Sequence, residues 1–91
     1  MVIEFDRAKD AANQAKHGVS LALAAEFDLA RVLTYPARAE QGEARITAIG
    51  DIRGTVYTAI VTERAARLRV ISLRRASRKE RQRYGATKRH S

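Results

Sequence analysis

Ninety-one residues, 45% apolar, 31% charged and only 5% aromatic, describe one domain over residues 1–91 with a small aliphatic core, not a disordered or fibrous chain. The absence of Cys excludes a disulfide framework, a Cys-ligated zinc site and a thiol nucleophile. The formal net charge of +8 is uneven: residues 1–66 carry eight basic against nine acidic side chains, and residues 67–91 carry ten basic against Glu80 alone.

Met1-Val2-Ile3-Glu4-Phe5-Asp6 is unlike a signal peptide, and no apolar run approaches the roughly 20 residues of a membrane span. A cytoplasmic protein with no membrane contact is expected. Residues 2–5 read as a short strand, and Asp6 offers an N-cap to a helix over residues 7–17. Within it Ala8, Ala11, Ala12 and Ala15 recur at i, i+3, i+4, i+7, which predicts the face pressed onto the core. Lys9, Asn13 and Lys16 share the roughly opposite face, with His17 at its edge. Gly18 ends the helix in a left-handed conformation, and Ser20 caps a second helix over residues 21–27.

Residues 28–43 hold an extended piece followed by a loop marked by Pro36 and Gly42. Three runs rich in Ile, Val and Thr, at 45–50, 56–62 and 68–73, lie at hairpin separations and predict an antiparallel meander. Ser77-Arg78-Lys79-Glu80 is a capping box. It opens a basic C-terminal helix that ends at Gly85 and leaves 86–91 as a frayed tail. Only Ala76 and Tyr84 are apolar there, so this helix is expected to dock weakly. The expected fold is α+β: two N-terminal helices packed on a small antiparallel sheet, with a basic C-terminal helix.

Metal chemistry finds little support, because His17 and His90 are the only imidazoles and no His/Asp/Glu cluster has ligand spacing. There is no G-x-S-x-G turn and no Gly-rich phosphate loop, and no cofactor is expected. Polar groups gather instead at element ends: Lys16-His17, Glu63-Arg64 and Arg74-Arg75. In a meander the last two pairs fall at opposite ends of neighbouring strands unless the chain bends. The arginine-rich C-terminal quarter suits RNA, an acidic partner, or simple solvation.

RNA cleavage needs no metal. The 2′-hydroxyl attacks the adjacent phosphate once a base draws off its proton, and cations stabilise the phosphorane. His17 offers an imidazole, the side-chain type whose ordinary pKa lies near neutrality, and Arg64, Arg74, Arg75 and Arg78 supply positive charge. Lys9 and Lys16 position phosphates or exchange protons. Each also has a plainer reading. His17 is a favourable group at a helix C-terminus, Glu63 an ion-pair partner of Arg64 or Arg45, Glu80 a cap, and Tyr84 a packing residue.

The stretch Phe5-Asp6-Arg7-Ala8-Lys9-Asp10-Ala11-Ala12-Asn13-Gln14-Ala15-Lys16-His17-Gly18-Val19-Ser20 resembles the F-[DW]-x2-K-x3-N-x2-K-H-G-V-S opening of the BrnT toxins. Thr62-Glu63-Arg64, Arg69 to Ser77, Glu80-Arg81 and Tyr84 resemble the close of the same family. The resemblance implies a RelE-like fold and a type II toxin, an endoribonuclease that arrests translation by cutting RNA. It implies neutralisation by a BrnA-like ribbon-helix-helix antitoxin, with operator DNA touched only through that antitoxin. Matching positions imply Lys16, His17, Arg64, Arg74, Tyr84 and Glu63 as catalytic residues, Arg64 and Arg74 gripping the scissile phosphate. Lys9 matches as an RNA-binding residue, and the charge pattern adds Arg75, Arg78 and Arg81. Which group is base and which is acid stays open, and residues 29–42 match weakly and carry nothing over. The alternative is a basic RNA-binding module without chemistry.

Overall fold

The chain builds a five-stranded sheet of order β1-β5-β4-β3-β2, and the computed structural model describes residues 2–40 and 42–89. The strands are β1 (Ile3–Glu4), β2 (Leu33–Glu40), β3 (Glu43–Ile52), β4 (Thr55–Arg64) and β5 (Arg67–Arg75). β3, β4 and β5 are the three predicted runs, each longer at both ends, and they pair antiparallel. Two features correct the expected small antiparallel sheet. β1 pairs parallel with β5, Ile3 opposite Leu68 and Glu4 opposite Arg69, so the sheet is mixed. The predicted extended piece becomes a strand over residues 33–40 on β3, which runs through Pro36 where a loop was predicted. Pro36 is tolerated because β2 is an edge strand, where an outward position needs no N–H donor.

The hairpins turn through paired left-handed residues, Arg53-Gly54 (φ 52° and 84°) and Ala65-Ala66 (φ 53° and 63°). Two positive φ values match the right-handed twist of the strands they join. Alanine adopts this conformation only with strain, since its Cβ crowds the following carbonyl.

Alternation gives the sheet two faces. Ala48 and Ile52 of β3, Tyr57, Ala59 and Val61 of β4, and Val70 and Leu73 of β5 form the core face, packed against Leu21, Ala24 and Phe27. Gly50 lies in the same row because Phe27 rests on it: a Cβ there would stand 2.6 Å from Phe27 Cδ1.

The cover over this core is the next correction. Helix α1 (Arg7–His17) has its predicted ends, with Asp6 Oδ1 accepting from the Ala8 and Lys9 amides at 2.7 and 3.1 Å and Gly18 left-handed at φ 74°. The second α-helix does not form. Leu21–Glu26 is a 3-10 helix, closed by bonds such as Phe27 N–H to Ala24 O at 3.1 Å. Six residues are too few to offset α-helix nucleation. The Asp10 carboxylate also pins the entry, accepting from the Ser20 hydroxyl at 3.0 Å and the Leu21 amide at 2.8 Å.

Helix α1 also turns a different face inward. Ala8, Ala11, Ala12 and Ala15 are exposed, and the buried residue is Asn13. Its Nδ2 donates to Leu73 O at 2.8 Å and Val19 O at 2.9 Å, and its Oδ1 accepts from the Leu73 amide at 3.2 Å. β1 stops at Glu4, opposite Arg69, so Leu73, paired with Ala59 of β4 on its other side, has no strand beside it on the β1 edge. The Asn13 amide supplies the missing donor and acceptor, which a buried backbone requires.

Helix α2 (Arg78–Arg89) continues past Gly85, so the predicted stop and the predicted tail are both corrected as far as Arg89. His90 and Ser91, the rest of that tail, lie outside the described residues. An interior glycine costs only about 1 kcal/mol, which does not end a helix by itself.

Candidate nucleic-acid interface

The face opposite the core is basic because arginines alternate with core residues along the strands. Arg45 of β3, Arg64 of β4, and Arg67, Arg69 and Arg74 of β5 all belong to it by register. The edge strand β2 contributes Tyr35, opposite Thr47.

Helix α2 closes one end of this face, reaching from β5 to β2. The capping box forms as predicted, Glu80 N–H donating to Ser77 Oγ at 3.2 Å and Ser77 N–H to Glu80 Oε1 at 2.7 Å. Glu80 is more than a cap. Its two oxygens accept from Arg74 Nη1 and Nη2 at 2.6 and 2.9 Å. These bonds, helped by the Ser77 amide, hold the Glu80 carboxyl down to about 2. One turn further, Arg83 lies over the Tyr35 ring, 4.7 Å from its centroid, and Tyr84 is buried. The helix is therefore docked by a bidentate ion pair, a cation–π contact and one aromatic side chain instead of an apolar stripe.

Arg64 and Arg74 share the face without sharing a site. Arg74 stands opposite Thr58, and Arg64 lies six residues further along β4, opposite Arg67. At about 3.3 Å per residue the two are about 20 Å apart, too far to grip one phosphate. Arg64 instead donates to Glu43 at 3.1 Å. Burial pushes the Glu43 carboxyl up, but the nearby Thr62 hydroxyl and the Arg64 guanidinium outweigh it and leave the group below its ordinary value. Glu63 is exposed at the same far end, opposite Leu68 and so on the core side of the sheet.

His17 belongs to the other end. The chain lies beside Arg69 at Glu4 and is bonded to Leu73 at Asn13, so α1 follows the direction of β5. One turn on, roughly 6 Å along the helix, half-buried His17 falls beyond Leu73, toward Arg74 and Arg75. Lys9 and Lys16 are exposed on α1, as are Arg75, Arg78 and Arg81 near the start of α2. Arg81 donates to Ala76 O at 2.9 Å. Arg78 and Arg81 line an open groove on α2 with Gln82, Gly85 and Ala86. Tyr84 is 5% exposed and borders a pocket with Asp28, Arg31 and Asp51, which makes its ring a wedge under α2. The predicted set thus divides: His17, Arg74, Arg75, Arg78 and Arg81 toward one end, Glu63 and Arg64 at the other.

Four residues escaped the sequence reading. Arg69 stands opposite Thr62, and Arg45 is in the same cross-strand row, nearer the Arg64 end of the face. Tyr35 and Arg83 form the stack beside Glu80. The signal for Tyr35 was the alternation Leu33, Tyr35, Ala37, obscured by Pro36 between them. Among the described residues no three His, Asp or Glu side chains are grouped to hold a metal ion, and no helix is long and apolar enough to cross a membrane.

The family described as "Ribonuclease toxin, BrnT, of type II toxin-antitoxin system" matches residues 5–80. The fold is similar to the crystal structure of the Brucella abortus ribonuclease toxin BrnT, with a TM-score of 0.68 and 31% sequence identity over 84% of this chain and 96% of that one. No curated protein sequence matches the chain.

Proposed function

The chain belongs to the BrnT family of ribonuclease toxins of type II toxin–antitoxin systems, and from that premise we propose that it is a metal-independent endoribonuclease acting on the basic sheet face at the end closed by α2. The observation that carries this reading is the series of guanidinium groups on one face, from Arg74 through Arg69 and Arg45 to Arg64. A strip of charge about 20 Å long suits an extended phosphate backbone better than a single anion.

Arg74 takes the scissile phosphate. Its fork on Glu80 fixes its orientation and leaves its Nε–H for a phosphoryl oxygen, so charge developing on the phosphorane meets a preorganised donor. His17 or Lys16 moves the proton of the attacking 2′-hydroxyl. Arg69, Arg45 and Arg64 hold the strand away from the cut, Arg75, Arg78 and Arg81 attract phosphates at the helical end, and Lys9 attracts them from the first turns of α1. Cutting RNA in the cytoplasm arrests translation. A ribbon-helix-helix antitoxin of the BrnA kind neutralises the toxin by covering this face, and operator DNA is met only through that antitoxin.

The test is incubation of purified protein with RNA in EDTA. Cleavage leaving 2′,3′-cyclic phosphate or 3′-phosphate ends is expected. Arg74→Ala should lower kcat by about 100-fold or more, the usual loss for a transition-state donor, and Arg64→Ala should raise KM with kcat nearly unchanged. RNA that is bound in a salt-sensitive way but left intact would establish the alternative, a binding module without chemistry. Equal kcat losses for the two arginines would refute the division of the face.

A further inference from the structure

We infer that the groove between β2 and α2 is a nucleobase subsite, where an unpaired base beside the cut stacks on Tyr35. The ligand class rests on the ribonuclease reading above, and the site rests on its own geometry. The groove has a volume of about 640 Å3 and is lined by Tyr35, Ser77, Lys79, Glu80, Gln82 and Arg83. Its walls combine a half-buried aromatic ring, a planar guanidinium over that ring at 4.7 Å, a side-chain amide and an ammonium group. Unpaired bases are held by stacking on aromatic and guanidinium planes, with amides pairing to the base edge. Gln82 offers both donors and an acceptor for that edge.

Tyr35 is the aromatic placed for this work. The chain has three Tyr, two Phe and no Trp. Phe5, Phe27 and Tyr57 pack in the core and Tyr84 is buried, which leaves Tyr35 as the aromatic on the open face. Its phenol also lies within electrostatic reach of Arg74, and Glu80, which holds Arg74, is part of the groove wall. A base on Tyr35 would therefore lie beside the end of the face that holds Arg74. Lifting Arg83 from the ring would let the base enter between the two planes.

The experiment measures binding of wild-type protein and variants to an oligoribonucleotide with 2′-deoxy substitution at the cleavage site, which cannot be cut, by fluorescence anisotropy. Tyr35→Ala is expected to weaken binding about tenfold, the size of one lost base–aromatic stack. The slope of affinity against salt should stay unchanged, since no charge is removed, and Tyr35→Phe should bind like wild type. With wild-type protein alone, an abasic position beside the cut should reproduce the loss, and Tyr35→Ala should add nothing on the abasic strand. Equal affinity of Tyr35→Ala and wild type for the intact strand, or indifference of wild type to every abasic position, overturns the subsite and leaves the ribonuclease reading standing. A wild-type protein that neither binds nor cuts RNA overturns both.

Discussion

Replacing Asn13 with Ala removes two bonds donated by Nδ2, to Leu73 O and Val19 O, and one accepted by Oδ1 from the Leu73 amide. Such bonds contribute about 1 kcal/mol each, and a buried group left unpaired costs about 1–3 kcal/mol. Leu73 is fully buried, so the expected loss is about 3–4 kcal/mol, a large part of the roughly 5–15 kcal/mol that stabilises a domain. For a chain of this size it corresponds to a fall in Tm of about 15 °C or more. Asn13→Asp is a sharper probe, because it keeps the shape but sets a carboxylate against two carbonyl oxygens. It should be no more stable than Asn13→Ala at pH 7 and should recover partly in acid, when the protonated carboxyl donates one bond. Urea unfolding followed by circular dichroism measures the loss, and hydrogen exchange should show the Leu73 amide losing protection. Ala11→Glu and Ala12→Glu, on the exposed side of α1, serve as controls and should change stability by less than about 0.5 kcal/mol. If those controls unfold the protein while Asn13→Ala does not, the inward polar face of α1 is wrong and the alanine stripe is the true contact.

Glu80→Gln tests the docking of α2 through pH. The folded carboxyl titrates at about 2 against an ordinary 4.5, so its contribution is complete above pH 4.5 and is lost as pH falls from 4.5 toward 2. The shift sets a ceiling of about 3 kcal/mol. Because the Arg74 side chain is 39% exposed, solvent reduces this to about 1–2 kcal/mol. Wild type should exceed Glu80→Gln by that amount in urea unfolding at pH 6, with the gap closing by pH 2.5, and a gap independent of pH would refute the ion-pair account. In the β4–β5 turn, Ala66→Gly relieves one left-handed alanine (φ 63°) and should stabilise by about 0.5–1 kcal/mol after the entropy cost of glycine. A lower Tm for that variant would show that the turn is not strained.

Local chemistry made much of this protein legible. The Asp6 cap, the left-handed Gly18 and the Ser77–Glu80 box each depend on groups within a few residues of one another, and each formed as read. The three Ile, Val and Thr runs became β3, β4 and β5, because alternation and hairpin spacing are also local. The string from Lys9 through Asn13 to Lys16-His17-Gly18-Val19-Ser20 pointed to the family. The alanine spacing misled for an instructive reason. Periodicity identifies a face of uniform character on a helix, but it does not say what the facing strand needs. Here the strand needed an amide.

The opening motif, the helix ends and the concentration of arginine in the last quarter were determined by the order of residues alone, since contacts within a turn or two and a count of charges require no fold. The parallel seat of β1, the polar inner face of α1 and the 20 Å between Arg64 and Arg74 (about six strand residues) were decided only in three dimensions. Each depends on partners distant in the chain, as Asn13 and Leu73 are, sixty residues apart. Strand register determines which guanidinium groups meet, and register is a property of the assembled sheet.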